Sequence, residues 1–171
     1  MKKVLVYGFG PFEGLYTNIT EVIVRQIRQS RALKTAVFDV KFSKAMFTRV
    51  LREVQPDVVI GMGQRARTKS TKLFIERKAV NVRAERGDDG EPIAADGPEV
   101  LTPTLQLPRF DYTTYSYNAG TYVCNFSMYV VLQHFAKRDT QFGFIHVPGS
   151  FDISVAADYL QLAIGNAQTS Q

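Results

Sequence analysis

The chain has 171 residues, enough for one ordinary hydrophobic core and too few for two comfortable ones. At 45% hydrophobic, 12% aromatic and 22% charged it lies far from the composition of disordered chains, and no apolar run reaches the roughly 18 residues that a transmembrane helix needs. The net charge of +5 comes from basic residues spread along the chain without the aromatic interleaving of single-strand binders, so neither a nucleic-acid nor a membrane partner is expected.

In chain order, Val4 to Tyr7 is a short apolar run stopped by Gly8, Gly10 and Pro11, which predicts a buried strand entering a loop. Asn18 or Thr20 can cap the following helix, whose apolar positions Val22, Ile23, Val24 and Ile27 suit packing on a sheet. Ala36 to Phe42 reads as a strand, Lys44 to Val54 as a helix ended ahead of Pro56, and Val58 to Ile60 as a third strand closing at Gly61 and Gly63. Phe74 to Val82 predicts another strand, and residues 83–106, rich in Gly, Pro, Asp and Glu, predict a long loop. Thr114 to Tyr117, Asn125 to Lys137, Gly143 to Val147 and Ile153 to Ile164 then read as strand, helix, strand and helix. Such alternation with continuous apolar strands predicts a single three-layer α/β/α domain over residues 1–171, with a mostly parallel mixed central sheet flanked by helices.

The residues that carry chemistry are few. The glycine-rich turn Gly8-Phe9-Gly10-Pro11-Phe12-Glu13-Gly14 departs from the dinucleotide fingerprint in glycine spacing and in Pro11, so it implies no nucleotide cofactor. Cys124, the only cysteine, cannot form an intrachain disulfide. The first residues break into glycine before a secretory apolar region forms, and both features fit a reducing cytoplasm. Cys124 follows a glycine turn at the start of an apolar helix, where free backbone N–H groups and the helix dipole stabilise a thiolate and an oxyanion. The alternative is a small buried hydrophobe. His146 ends an apolar strand, where it is either a base or a hydrogen-bonded strand-end histidine; His134, mid-helix, reads as structural. Glu76 stands in an apolar strand, either needing a buried partner or paired at the surface with Arg77 or Lys78. One cysteine and two histidines at these spacings match no zinc site. A cysteine, a histidine and an acid together supply the nucleophile, base and orienting group of amide hydrolysis.

Four segments in register then resemble the pyroglutamyl-peptidase I family of cysteine peptidases, also called pyrrolidone-carboxylate peptidases. They are Gly8-Phe9-Gly10-Pro11-Phe12, Glu76-Arg77 with Asn81, Asn118 through Asn125, and Phe144-Ile145-His146-Val147-Pro148. The resemblance implies Cys124 as nucleophile, His146 as base, Glu76 as acid and Arg86 as oxyanion stabiliser. It also implies Phe9, Phe12, Gln64, Tyr122 and Val123 around a lactam ring, pyroglutamyl peptides as substrate, no metal or other cofactor, and a homo-oligomer of the family's tetrameric kind. The chain departs from the family at Glu13, at Ile19 and in the lengthened turn from Arg65 to Thr71, and is shortened around residues 107–111 and after His146. These changes leave open another cyclic amide or acyl substrate on the same triad, or a catalytically silent binding module.

Overall fold

The computed structural model describes residues 1–12, 14–65, 68–85 and 87–169. Its main sheet has six strands: β1 (Val4–Phe9), β2 (Leu33–Phe38), β3 (Val58–Arg65), β4 (Leu73–Glu76), β7 (Thr113–Ser116) and β8 (Gln141–Pro148). They lie in the order β2-β1-β3-β8-β4-β7. β2, β1, β3 and β8 are mutually parallel, β4 runs antiparallel to β8, and β7 is parallel to β4. A separate antiparallel pair joins β5 (Ala79–Val80) to β6 (Val100–Leu101). The helices are α1 (Ile19–Arg25), α2 (Lys44–Val54), α3 (Val123–His134) and α4 (Ile153–Thr169).

The two-residue period of each strand sorts its side chains between two cores. Val4, Val6, Val58, Ile60, Met62, Leu73, Ile75, Ile145 and Val147 pack with Ile19, Ile23 and Val24 of α1 and Tyr159, Leu160 and Ile164 of α4. Leu5, Tyr7, Phe9, Val59, Phe142 and Phe144 pack on the opposite face with Phe47 and Leu51 of α2 and with Phe126 and Val130 of α3. The result is a three-layer α/β/α arrangement around a mostly parallel mixed sheet. The same alternation places Glu76 and His146 on the α3 side, because they are out of phase with Ile75 and Ile145.

Several boundaries differ from the sequence expectation, each for a local reason. β2 begins at Leu33 rather than Ala36 and stops at Phe38, since Leu33 is in register with Val4, and Val40 and Phe42 leave the sheet to pack against the α2–α3 core. β3 continues through Gly61 and Gly63 to Arg65 instead of closing at them. A Cβ at Gly61 would lie 2.5 Å from a Phe144 ring carbon and 2.6 Å from the Tyr7 ring, so that glycine serves close packing within a strand. The single strand expected over Phe74 to Val82 is two, β4 and β5. After Glu76 the chain leaves the main sheet, and Val80 is taken up by Asn125, whose side chain accepts from the Val80 N–H at 2.9 Å and donates to the carbonyls of Val80 and Val82, each at 2.9 Å. The expected loop over 83–106 contains β6 and an Arg83–Glu91 bridge. Asn81 holds it through bonds to Ala94 and Gly97, and the Tyr129 hydroxyl through a bond to Pro98. α3 starts two residues before Asn125 and α4 runs on to Thr169, with Ala163, Ile164 and Ala167 keeping their buried spacing.

Asn125 is 1% exposed, so truncating it strands three backbone groups at once. Asn125→Ala should cost about 2–4 kcal/mol, read as a lowered urea midpoint with an unchanged slope; a loss below about 1 kcal/mol would show that water replaces the clamp.

Candidate active site

The site forms where parallel strands end, the usual place for ligands in an open α/β sheet. Gly63 of β3 is opposite His146 of β8, and His146 is in turn opposite Phe74 of β4. Glu76 lies two residues beyond Phe74 on the same face, within diagonal reach of His146. The two meet: His146 Nδ1 and Glu76 Oε1 are 2.7 Å apart, with Glu76 wholly buried and His146 5% exposed. The surface pairing of Glu76 with Arg77 or Lys78 is therefore not adopted. Glu76 Oε2 is buried and has no hydrogen-bond partner among the described residues.

Cys124 is the second residue of α3, and its partly exposed sulfur comes down over Gly63. A Cβ on Gly63 would be 2.5 Å from Cys124 Sγ and 3.1 Å from His146 Cδ2, the ring carbon beside Nε2. The bare backbone of Gly63 is thus what lets sulfur and imidazole share one spot, with the sulfur on the Nε2 side and the carboxylate on Nδ1. Burial by itself lowers the His146 pKa. The charge and hydrogen bonding of Cys124, followed by those of Glu76, outweigh it and hold the imidazole protonated up to about pH 9.

The start of α3 adds donors. Tyr122 is its N-cap and makes no side-chain capping bond, and the first helical bond runs from the Phe126 N–H to the Tyr122 carbonyl. The amides of Val123, Cys124 and Asn125 precede it and have no carbonyl within the helix to bond, so they are directed out of the helix end beside the sulfur. Arg86, expected to act on an oxyanion, lies outside the described residues.

Two cavities open on Cys124. A cleft of about 540 Å³ is lined by Phe12, Gln64, Arg65, Glu85, Asn118 and His146 among others. A small apolar recess of about 40 Å³ is lined by Phe9, Phe12, Asn18, Val40, Gln64, Tyr122, Val123 and Cys124. All five residues expected around a lactam ring line the recess. Asn18 and Val40 were missed as lining residues. The capping signal that picked out Asn18 says nothing of its second role, and Val40 reaches the recess only because β2 ends early. Gln64 Oε1 accepts from the Ile19 N–H at 2.8 Å, which leaves Nε2 as its donor. Asn18 spends one Nδ2 hydrogen on the Gly10 carbonyl and keeps the other. His134 lies apart at the end of α3, its pKa lowered by burial and by Arg138, Arg52 and Lys44. Among the described residues no three His, Cys, Asp or Glu side chains gather as a metal ion would need, and no helix is long and apolar enough to cross a membrane.

A thiol at a helix start above a buried histidine–carboxylate pair is an arrangement suited to cysteine-dependent amide hydrolysis. The sequence profile of the pyroglutamyl peptidase family matches residues 2–106 and 111–159, and the chain belongs to that family. It is similar to the pyrrolidone-carboxylate peptidase of Thermococcus litoralis, 36% identical over 86% of this chain and 77% of that protein. It is also similar to that of Pyrococcus furiosus, 34% identical over 85% and 80%. A solved variant of the Pyrococcus furiosus pyrrolidone carboxyl peptidase superposes with a TM-score of 0.84 at 28% identity, covering 97% of this chain and 98% of that one. The pyroglutamyl peptidase I of Bacillus amyloliquefaciens, at 24% identity and a TM-score of 0.82 over 99% and 96%, shares the fold.

Because the folded-state His146 value of about 9 lies above the ordinary 6.5, protonation of this pair stabilises the fold fully below pH 6.5, and that contribution is lost as pH rises through 9. Melting temperature should therefore fall between pH 6.5 and 9.5, and fall less in Glu76→Gln, which weakens one source of the shift. Parallel profiles for the two proteins would contradict the coupling.

Proposed function

We propose that this protein hydrolyses the amide bond after an amino-terminal pyroglutamyl residue, with Cys124 as nucleophile, His146 as acid and base, and Glu76 orienting the imidazole. The observation that carries the reading is the convergence of sulfur, imidazole and buried carboxylate beside a recess that suits one small ring. One water needs about 10–15 Å³ of such space, so 40 Å³ corresponds to about three waters, on the scale of a five-membered lactam and too little for an extended side chain.

The chemistry follows from the positions of the groups. The recess is mostly apolar, which suits a pyroglutamyl residue because it has no charged amine to solvate. The second Asn18 Nδ2 hydrogen and the Gln64 Nε2 group, which make no other bond among the described residues, are donors suited to the lactam oxygen, an acceptor. With the ring seated, its exocyclic carbonyl carbon comes against the Cys124 thiolate, and the carbonyl oxygen turns toward the helix-start amides. Attack forms the carbon–sulfur bond and places the electron pair on that oxygen, where the amides stabilise it. Collapse expels the leaving amine, which takes its proton from His146 Nε2 and departs along the larger cleft. The now neutral imidazole removes a proton from water, which attacks the thioester and returns the thiolate and imidazolium. Glu76 holds the Nδ1–H throughout, so that Nε2 is the nitrogen that exchanges protons. Arg86 adjoins Glu85 of the cleft wall in sequence, and we assign it the oxyanion role on the family resemblance.

A pyroglutamyl amide of a reporter amine should be cleaved, and Cys124→Ala and His146→Ala should each lose about a thousandfold or more in kcat. Activity persisting in the cysteine variant would exclude the thioester route. On a panel of other lactams and linear amides, turnover of those compounds as fast as the pyroglutamyl one would reject the substrate assignment while keeping the triad. The alkaline limb of kcat/KM should fall near pH 9, where His146 loses its proton; a limb near 6.5 would contradict the ion pair.

A further inference from the structure

Below the sulfur, on the side away from the cleft, lies a pair of polar groups for which the mechanism has no step. Tyr7 of β1 and Ser127 of α3 are 1% and 0% exposed, and their hydroxyl oxygens are 3.0 Å apart. The Ser127 hydroxyl donates to the Cys124 carbonyl at 2.8 Å. That bond uses Ser127's only hydrogen, so Tyr7 must be the donor to Ser127. Burial raises the Tyr7 pKa far above its ordinary value, an effect opposed by the Ser127 bond and reinforced by the Cys124 charge, so the phenol keeps its proton at any working pH. The direction of the chain is thereby fixed from Tyr7 to Ser127 to the Cys124 carbonyl.

Neither hydroxyl is accounted for by packing. The Tyr7 ring is held edge-on by Phe9, Phe38 and Phe47 and tilted against Phe144, and a phenylalanine would keep all four contacts. A buried hydroxyl is costly unless bonded, and a serine bonding back along its own helix gives that helix little. What the pair does accomplish is positional. Residue 124 sits in the first turn of a helix without a side-chain cap, the part most prone to fray. Its carbonyl is reached, through Ser127, from a central strand whose ring lies over Gly61.

We infer that Tyr7 and Ser127 are positioning residues, a hydroxyl relay that pins the Cys124 backbone to β1 and so aims the sulfur across Gly63 at His146. The inference rests on the reading of Cys124 as the attacking atom. Removing the relay leaves the groups that hold the ring in place but lets the sulfur wander, which lowers the rate of attack without altering how the ring is held.

The experiment compares wild type, Tyr7→Phe, Ser127→Ala and the double variant for kcat and KM on the pyroglutamyl reporter amide, for alkylation of Cys124 by iodoacetamide, and for melting temperature. Ser127→Ala leaves the Tyr7 hydroxyl buried and unpaired and should melt lowest; the double variant removes both polar groups and should recover most of that loss. In both, kcat and alkylation should fall about tenfold with KM changed by less than about twofold. Tyr7→Phe, which leaves the Ser127 bond intact, should fall about threefold by the same reasoning. A double variant with wild-type kcat and alkylation, or rates that track melting temperature across the set, would overturn the relay. Unchanged kcat in Tyr7→Phe would do so even if the serine variants fail to fold. Wild-type protein without turnover, or Cys124→Ala with it, would instead overturn the reading of the site on which the relay depends.

Discussion

A carboxylate with no exposure to water must be balanced by its neighbours, and the arrangement around Glu76 follows from that requirement. One of its oxygens is paired with His146 and the other has no partner among the described residues. A lone buried ion is costly, and removing one partner of a buried pair leaves the other stranded. A protonated His146 offsets Glu76, and a negative sulfur on the far side of the ring favours that protonation in turn. The imidazole is thus held protonated from both sides, and the buried carboxylate without it would be an unfavourable tenant of that core.

That mutual dependence explains the shape of the sheet at this point. β4 must reverse against β8 to bring a carboxylate to the Nδ1 side of the ring, and β3 must be bare where α3 descends. The two glycines of β3 lie on the same face as Val59, and their bare backbones admit the Tyr7 and Phe144 rings at Gly61 and the sulfur at Gly63.

Much of this was legible in the sequence, in unequal parts. The strands announced themselves because Val4-Leu5-Val6-Tyr7 and, apart from His146, Gly143 to Val147 are apolar on both faces, as central parallel strands require. Cys124, His146 and Glu76 could be picked out by residue type and by register with the family. Their convergence was implied only by the family resemblance, since it depends on β4 pairing antiparallel to β8, which no local pattern encodes. Gly61 and Gly63 were misread as strand ends because a glycine that stops a strand and one that admits a neighbouring ring look alike without the neighbour. Asn81 and Asn125 stand out only through the family resemblance, and nothing local shows that their side chains bond the distant backbone of Ala94 and Gly97 and of Val80 and Val82. The Tyr7–Ser127 pair carried no signal, being separated by 120 residues and lying in two apolar runs.

The clamp made by Asn125 has a mechanical corollary. Asn125 follows Cys124 directly, so one helical turn carries both the sulfur and the anchor for the strap that continues into Ala84 and Glu85 on the rim of the cleft. The Ala84 N–H also donates to the Thr121 carbonyl at 2.9 Å, so strap and helix start are bonded at two places and displacing the rim strains the backbone that carries the sulfur. The width of the entrance and the position of the sulfur are therefore mechanically linked.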